Sequence, residues 1–471
     1  MKKFGFWLVA LLLVGLLAGS VSAAGEYKEV QKNEYWVSWD GSANATLVSI
    51  VYGPSEMLNQ TKASILKMGI QNATKVFVSQ EAQKLSQMGL TLKNATGEII
   101  GYNTTGPLET VIKGRILNFA RYYSYDNVWE IALDALRVAD LSQINPTAIN
   151  GSMYLENYFT VHLPAGARLK NVTKGFKVES NGSYILLDVK VEGNTIFTHS
   201  IVYLKKGVTK EDLMVLYSKL EPVMIQYTGK KGVENYTTWE MKIYNNITVQ
   251  GNQTVLDTTE EYIKPEAYIN YVKVQFAYEG LQKAEQSLYE KYAQQFQNEG
   301  VQVLGGRVSI LNANTSGPLI VKYHWVLKGF VSKVNGTYVY AYDPKLELGS
   351  MNFPYRLNAA INETKVTRIS LPTGYKFTSI PSDIDVKTRA GSVTMKVQRL
   401  SDREILITSN VYIAYGVPAD AYKAFMAKVP NKVEFKYEVT AEEGSGGKGI
   451  CGPAAIVGLA VLPLLLYRRR R

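Results

Sequence analysis

The hexapeptide NTTGPL at residues 103–108 returns almost unchanged, as NTSGPL, at residues 314–319. The two copies are 211 residues apart, and the same offset pairs two further glycines of each copy: Gly69 with Gly280 and Gly89 with Gly300. Self-similarity at a fixed offset is the signature of an internal repeat. The sequence therefore predicts a duplicated module, with one unit at residues 27–222 and the other at residues 235–430.

Each copy shows one pattern of predicted elements: a short strand, a long helix, several alternating strands and a short helix. In the second copy, apolar residues recur three or four positions apart, as on one face of a helix: Ala277, Leu281, Ala284, Leu288, Tyr292 and Phe296. The long helices are predicted at 57–88 and 268–299, and the short helices after Thr209 and Pro418. The predicted fold class is α+β, an internal duplication in which each unit packs a long helix on an antiparallel β-sheet and ends in a short C-terminal helix.

The paired glycines Gly69 and Gly280 fall in the middle of the two predicted long helices. Glycine costs about 1 kcal/mol at such a position relative to alanine. Two interpretations stay open: the glycine breaks or kinks the helix, or it permits a close contact between helix and sheet.

The N-terminus has the three parts of a secretory signal peptide. Lys2 and Lys3 precede an apolar stretch, and small residues end it, so we expect residues 1–24 to be removed by cleavage after Ala23 or Ala24. An uncleaved N-terminal anchor is the alternative.

The C-terminus predicts a membrane anchor. Residues 451–467 carry no charge and would span about 25 Å as a helix, close to the lower limit for crossing a bilayer. Four arginines, 468–471, follow and favour the cytoplasmic side. A buried core helix is the weaker alternative, because unpaired charge is costly to bury. Residues 442–449 are rich in glycine and serine, which is typical of a flexible linker.

The segment that begins with Cys451, Gly452 and Pro453 resembles the CGP-CTERM sorting signal of archaeal surface proteins of the Thermococcales. Its three parts are Cys-Gly-Pro, a short apolar span and terminal arginines, and the resemblance covers residues 450–471 alone. It implies processing near Cys451 and a lipid attached to that thiol. Members of the family often have a longer Thr/Ser-rich stalk than the short Gly-rich linker of this chain.

Fourteen Asn-X-Ser/Thr sequons are present, more than composition predicts, and they favour an exported, N-glycosylated protein. Glycans need solvent, so each asparagine is predicted to lie on the surface, and Asn72 must face outward from its helix. The acceptor positions are Asn44, Asn59, Asn72, Asn94, Asn103, Asn150, Asn171, Asn181, Asn235, Asn246, Asn252, Asn314, Asn335 and Asn362.

The composition narrows the chemistry. Cys451 is the sole cysteine, which excludes an internal disulfide, a zinc–thiolate site and a cysteine nucleophile in the body. The three histidines, His162, His199 and His324, are isolated in sequence, and a surface or satisfied core role is favoured over metal ligation. The net charge of +11 falls to +5 without the six cations of the two termini, and no basic block predicts a nucleic-acid partner. We expect no cofactor and no metal.

Few residues qualify for catalysis or ligand binding. No nucleophile elbow, zinc-protease helix or phosphate-binding loop motif is present. Asp383 with Asp385, and Tyr342 with Asp343, could serve acid chemistry, but carboxylates in turns are common. Among the aromatic residues of YWVSWDG, Tyr35 and Trp39 would share one face of a strand and Trp36 the other, and a core role is favoured over a sugar-binding role.

Together these features predict a cell-surface protein on the outer face of the membrane, anchored at its C-terminus. Its role is expected to be non-catalytic binding or structural, with the membrane and envelope proteins or glycans as partners. Two alternatives stay open: an extracellular hydrolase of polysaccharide or peptide, and a solute-binding component of a transporter.

Overall fold

The computed structural model describes residues 26–136, 151–218, 220–234, 236–250, 253–346, 351, 353 and 355–440. The chain divides into two compact units between residues 235 and 236. Several predictions lie outside the described residues: the signal peptide with Ala23 and Ala24, the linker at 442–449, the sorting signal with Cys451, Gly452 and Pro453, and the sequons at Asn150, Asn235 and Asn252.

The first unit alternates long strands with three short helices over its described residues. In chain order its elements are β1 (Tyr27–Val37), β2 (Ala43–Gly53), α1 (Ser55–Met68), α2 (Ile70–Gln87), β3 (Thr91–Ile100), β4 (Leu108–Leu117), β5 (Arg121–Tyr123), β6 (Val128–Leu133), β7 (Met153–His162), β8 (Arg168–Val172), β9 (Phe176–Ser180), β10 (Ser183–Glu192), β11 (Thr195–Leu204), α3 (Lys210–Tyr217) and β12 (Val223–Thr228).

The second unit repeats this order element by element over the residues described. Its elements are β13 (Thr237–Gln250), β14 (Gln253–Lys264), α4 (Glu266–Glu279), α5 (Leu281–Asn298), β15 (Gln302–Leu311), β16 (Leu319–Lys328), β17 (Ser332–Val334), β18 (Thr337–Tyr342), β19 (Ala359–Ser370), β20 (Tyr375–Ser379), β21 (Ile384–Thr388), β22 (Gly391–Ser401), β23 (Glu404–Ile413), α6 (Ala419–Met426) and β24 (Val433–Val439). The last strand of each unit lies beyond the ends at 222 and 430 that the repeat alone predicts.

Each unit builds two sheets with the same strand order. The large sheets run β3-β4-β2-β1-β7-β11-β10-β9 and β15-β16-β14-β13-β19-β23-β22-β21, and the small sheets run β5-β6-β12-β8 and β17-β18-β24-β20. The β1–β7 and β13–β19 pairs are parallel, and their neighbours in the large sheets pair antiparallel. The repeat of the sequence is therefore a repeat of topology, strand for strand.

The predicted α+β fold class is wrong, because strands dominate the described residues of both units and none of their helices there is a long one. Each predicted long helix is two helices that meet at Gly69 or at Gly280. These glycines have φ angles of +81° and +86°, which L-residues rarely adopt, so the helix cannot continue through them. A Cβ at either position would meet no atom within 4 Å, so the glycines break the helix and make no close contact with the sheet.

The short C-terminal helices begin where the sequence predicts. The hydroxyl of Thr209 accepts a hydrogen bond from the Asp212 backbone N–H at 3.1 Å, and the Asp212 carboxylate accepts one from the Thr209 N–H at 3.1 Å. This capping box satisfies backbone donors at the start of α3. Hydrogen bonds from the Ser180 hydroxyl and from Thr209 lower the pKa of Asp212 to about 2. In the second unit, Pro418 stands directly before α6.

The core of the first unit lies on one face of its large sheet. Leu155 and Val161 of β7 pack there with Ile131 and Ile225 of the small sheet and Leu216 of α3. Residues along β7 alternate between buried and partly or fully exposed, which is the pattern of a sheet covered on one side. The other side of the large sheet, its outer face, is open to solvent.

The repeated hexapeptide forms a loop that holds a buried lysine. Lys62 of α1 donates hydrogen bonds from Nζ to the carbonyl oxygens of Thr104, at 2.8 Å, and of Gly106. In the second unit Nζ of Lys273, 211 residues later, donates to the carbonyls of the equivalent loop residues, Thr315 and Gly317, both at 2.7 Å. Each lysine is only 5 % exposed. Because a buried ammonium must be hydrogen-bonded, the loop and the lysine form one structural unit, the lysine–loop clamp.

Candidate functional site

A group of aromatic side chains stands on the outer face of the first large sheet. Alternation along β7 points Tyr154 and Tyr158 to solvent, and strand pairing sets Tyr203 and His199 of β11 directly beside them. The β10–β11 register then adds Tyr184, opposite Tyr203. We name these five side chains the tyrosine platform. Its rings come from three adjacent strands, so a single sheet fixes their spacing.

The rings of the platform pack against one another side by side. Tyr158 and His199 are stacked, with 4.5 Å between ring centroids and 9° between planes. The Tyr203 centroid lies 5.5 Å from that of Tyr184 and 6.5 Å from that of Tyr154. Tyr158 remains 42 % exposed, although large apolar surfaces are usually buried. The stacking therefore orders the rings while leaving ring surface accessible.

Charged groups lie between and beside the rings. Oε1 of Glu156 accepts a hydrogen bond from the Tyr158 hydroxyl at 2.7 Å and lies 3.0 Å from Nε2 of His199. Nζ of Lys28 lies 5.2 Å from the Tyr154 ring centroid, within cation–π distance. The rings are therefore flanked by a carboxylate, which can accept hydrogen bonds, and an ammonium group, which can donate them.

The contacts of Glu156 shift two pKa values. The hydrogen bond to the Glu156 carboxylate, with smaller contributions from burial and charge repulsion, raises the pKa of Tyr158 to about 12. Burial pushes the pKa of Glu156 up, but hydrogen bonds from Tyr158 and His199 outweigh it, so the pKa of that carboxyl is lowered. At neutral pH the phenol is protonated and the carboxylate is charged. Because neither Tyr158 nor Glu156 titrates near pH 7, the hydrogen bond between them is kept at neutral pH.

A second aromatic pair lies at the other end of the same face. Trp36 of β1 stacks on His162 of β7, with 5.4 Å between centroids and 16° between planes. His162 lies 2.8 Å from Oε1 of Glu34 and 3.1 Å from the Thr195 hydroxyl. We call this pair the Trp36–His162 stack. His162 is eight residues along β7 from Tyr154, or about 27 Å, so the stack is well separated from the Tyr154 end of the platform.

The second unit shows that the fold does not require these aromatic side chains. The sequences LPAG (163–166) and LPTG (371–374) directly follow β7 and β19, which aligns these strands at an offset of 208. Strand pairing extends this alignment to the neighbouring strands. The residues that replace Tyr154, Tyr158, Tyr184, His199, Trp36 and His162 are Asn362, Val366, Ser392, Thr408, Thr248 and Ser370. Tyr203 alone keeps its ring, as Tyr412.

The three aromatic residues of YWVSWDG have different environments. Tyr35 is buried and stacks on Phe119, and Trp39 packs against Trp129 and Tyr227 with its Nε1 donating to the Ala165 carbonyl at 3.2 Å. The predicted core role is confirmed for these two. It is wrong for Trp36, which is 42 % exposed on the outer face. Tyr35 and Trp39 thus lie on the core side and Trp36 on the outer face, as the alternation of a strand predicts.

The remaining candidates are engaged in contacts with neighbouring residues of their own sheet. The third histidine, His324, lies 2.7 Å from Asp257 on the neighbouring strand. Asp383 accepts a backbone hydrogen bond from Val397 at 2.8 Å, while Asp385 pairs with Lys387 at 3.0 Å. Both aspartates are thus engaged within the β21–β22 hairpin.

The Tyr342 and Asp343 pair is likewise committed to structure. The buried Tyr342 hydroxyl donates to the Ser409 hydroxyl at 2.8 Å, and burial raises the pKa of Asp343. Over the residues that the structure describes, no group of three His, Cys, Asp or Glu side chains is close enough to hold a metal ion.

The described sequon asparagines all reach solvent. Eleven of the fourteen lie within the described ranges, and every one is exposed, including Asn72 on α2: Asn44, Asn59, Asn72, Asn94, Asn103, Asn171, Asn181, Asn246, Asn314, Asn335 and Asn362. Exposure is what a glycan acceptor needs. Glycosylation itself stays a prediction.

The sequence contains a signal for the platform that its motifs did not reveal. In MYLENYFTVH, residues 153–162, the side chains at every second position are Tyr, Glu, Tyr, Thr and His. A strand that is polar and aromatic on one face predicts an exposed aromatic row. The ring contacts depend on strands β10 and β11, and their register could not be read from β7.

Comparison with known proteins adds no assignment. No protein-family model matches the chain, and no curated protein matches it. A solved structure of a candidate protease from Parabacteroides distasonis ATCC 8503 is similar at 8 % identity, covering 87 % of this chain and 99 % of that one, with a TM-score of 0.21. A score of this size does not indicate a shared fold.

Among the helices that the structure describes, none is long and apolar enough to cross a bilayer.

Proposed function

We propose that this chain is an exported, N-glycosylated protein, held at the outer face of the cell membrane by its C-terminal segment. The protein binds envelope glycans without cleaving them. The signal-like N-terminus, the CGP-CTERM-like tail and the fourteen sequons support the location. The tyrosine platform supports the activity.

One observation carries the binding role: the first unit has the platform, and the second unit builds the same sheet without it. If the rings served the fold, the duplicate would need them too. Core positions remain mostly apolar in both units, for example Val202 and Val411, while the outer face differs. Exposed aromatic rings that the fold does not require are typical of an interaction site.

The chemistry of the platform suits a carbohydrate. The C–H face of a pyranose ring packs on an aromatic ring, and sugar hydroxyls need donors and acceptors nearby. Tyr158 and the half-buried Tyr203 supply ring surface. The Glu156 carboxylate is able to accept hydrogen bonds from a sugar, and the Lys28 ammonium, which lies over the Tyr154 ring, is able to donate them. A row of rings on an open sheet favours an extended polymer chain over a small solute, which would need an enclosed pocket.

The binding test compares two equivalent tyrosines. Full-length protein in detergent is titrated calorimetrically with size-fractionated envelope polysaccharide, as wild type, Tyr203→Ala and Tyr412→Ala. Loss of one stacked ring removes roughly 0.5–1.5 kcal/mol, so we expect Tyr203→Ala to weaken binding about 2- to 10-fold. Tyr412→Ala, the matched control on the second unit, should bind like wild type. No heat of binding with wild type, or equal weakening by both variants, would contradict the role.

The same samples separate binding from the hydrolase alternative. Polysaccharide incubated with the protein is analysed for new reducing ends. Unchanged polymer length with measurable binding supports the proposal, and release of short products would replace it with the hydrolase.

The anchoring part of the proposal is tested at Cys451. Wild type and Cys451→Ser are compared for membrane fractionation and for the mass of the C-terminal peptide. We expect wild type to carry the mass of a lipid at the cysteine and the variant to lose it. An unmodified cysteine in wild-type membrane protein would overturn lipid attachment.

A further inference from the structure

We propose that the N-linked glycan of Asn44 lies on the sheet and stacks its first sugar on the exposed face of Trp36. This inference rests on the proposed glycosylation and adds what the glycan does: it covers one end of the outer face. The tyrosine platform, further along the strands, is left uncovered for other glycans.

The register of the sheet brings the two side chains together. Asn44 of β2 pairs directly with Trp36 of β1, and both point to the outer face. Directly opposed residues of an antiparallel pair have Cβ atoms about 4.5–5.5 Å apart. Both side chains are exposed. The first sugar on the Asn44 amide is therefore within one ring width of the indole.

The orientation of the indole selects the side that a sugar would use. The Trp36 ring is nearly parallel to the His162 ring, and β7, which carries His162, adjoins β1 on the side away from β2. One indole face is covered by the imidazole. The other face turns toward β2, where Asn44 stands. Glu34 and Thr195 hold His162 in place, so the indole keeps this orientation.

The opposite neighbour of Asn44 is already engaged. Arg115 of β4 pairs with Asn44 in register, and its guanidinium donates to Asp40 and, at 3.0 Å through Nε, to the Ser42 hydroxyl. These bonds fix the arginine beside the turn that precedes β2. A sugar on Asn44 thus has on one side the Arg115 guanidinium, which is already hydrogen-bonded, and on the other side the exposed face of the Trp36 indole.

The same juxtaposition recurs in the second unit with different residues. Asn362 of β19 pairs directly with Tyr412 of β23, which is 42 % exposed. Asn246 stands two residues from Tyr244 on one face of β13, and Tyr244 is 40 % exposed. Asn44, Asn246 and Asn362, which lie on interior strands of the large sheets, thus each have an exposed aromatic neighbour on their own face. The pairing of glycan acceptor with ring recurs although the outer faces differ in sequence.

The experiment is a double-mutant cycle on the full-length glycosylated protein. The variants are Asn44→Gln, Trp36→Thr and their combination. The midpoint and slope of urea unfolding are measured for each variant and for wild type. Threonine is the residue that the second unit has at the position of Trp36, so the variant is compatible with this fold. We expect Asn44→Gln to destabilise the wild type, and to have no such effect in the Trp36→Thr background. The coupling should equal a roughly 2- to 10-fold change in the unfolding equilibrium constant.

Glycopeptide mass spectrometry separates the two proposals. The control for the double-mutant cycle is Asn59→Gln, at an exposed acceptor on α1, which should show no coupling to Trp36. If Asn44 is occupied and Asn44→Gln has the same effect in both backgrounds, the stacking is overturned and the glycosylation stands. If Asn44 and the other acceptors are bare, the proposed glycosylation fails, and the stacking fails with it.

Discussion

Tyr158 and His199 lie on paired strands with their rings parallel, 4.5 Å between centroids, and both contact the carboxylate of Glu156. A stack held by a shared carboxylate is more ordered than two independent exposed side chains, because each contact limits the rotamers of the others. This order is what a binding surface gains: less side-chain entropy remains to be lost when a ligand arrives.

The first prediction concerns the Tyr158 phenol. Its pKa, raised to about 12 chiefly by the hydrogen bond to Glu156, should fall toward the ordinary value near 10 in Glu156→Gln. The measurement is a pH titration by NMR of ring-labelled tyrosine in the intact protein, with Tyr158→Phe to assign the signal. Glu192→Gln, an exposed change on β10, is the control. A midpoint that stays near 12 in Glu156→Gln would show that burial controls the phenol.

The second prediction concerns the lysine–loop clamp. Lys62→Met removes two charge-assisted hydrogen bonds and leaves the carbonyls of Thr104 and Gly106 without their donor, so the first unit should lose about 2 kcal/mol of unfolding free energy. Urea unfolding measures the loss. Lys67→Met, on the exposed last turn of α1, should change stability by less than about 0.5 kcal/mol. Equal effects of the two substitutions would show that the clamp does not stabilise the fold.

The third prediction concerns the helix break. At φ +81° an alanine is strained, so Gly69→Ala should cost roughly 1–3 kcal/mol even though its Cβ has open space. Gly106→Ala, whose Cβ would meet only the Thr104 hydroxyl at 3.7 Å and whose φ is ordinary, is the control and should be nearly neutral. Thermal melts of the two variants provide the comparison. A higher melting temperature for Gly69→Ala would mean that α1 and α2 merge into one helix without cost.

The fourth prediction concerns pH and Asp343. Burial raises its pKa against the lowering effect of the Lys345 backbone N–H and nearby lysines. A folded-state pKa above the unfolded value near 3.9 means that the charged carboxylate destabilises the fold at neutral pH. Asp343→Asn should therefore melt higher than wild type at pH 7, and the difference should shrink as the pH falls through the folded-state pKa.

The control for this prediction lies in the first unit. The pKa of Asp212 is lowered to about 2, so its carboxylate contributes stability above the unfolded pKa, and that contribution is lost as the pH falls toward 2. Asp212→Asn should therefore melt lower than wild type at pH 7. If both substitutions shift the melting temperature in the same direction at pH 7, the assignment for Asp343 is wrong.

Local patterns that depend on a few adjacent residues were predictable. Asn181-Gly182 gives the tight hairpin between β9 and β10, because both residues adopt positive φ. The capping box at Thr209 and the position of Pro418 gave the starts of α3 and α6. The periodicity of 268–299 gave helical structure of the right length, but the conformation of Gly280 decided that it forms two helices.

The sequence by itself determined that the chain is built twice, because a fixed offset of 211 survives in the glycines and in the NT(T/S)GPL loops. It also determined which side chains alternate along each strand, since the period of a strand is two. Only the tertiary structure decided which residues meet. Register sets Tyr158 beside His199 and Asn44 beside Trp36, although each pair is separated in sequence. Strand order and register depend on the whole sheet burying one face, and no local stretch encodes that sum.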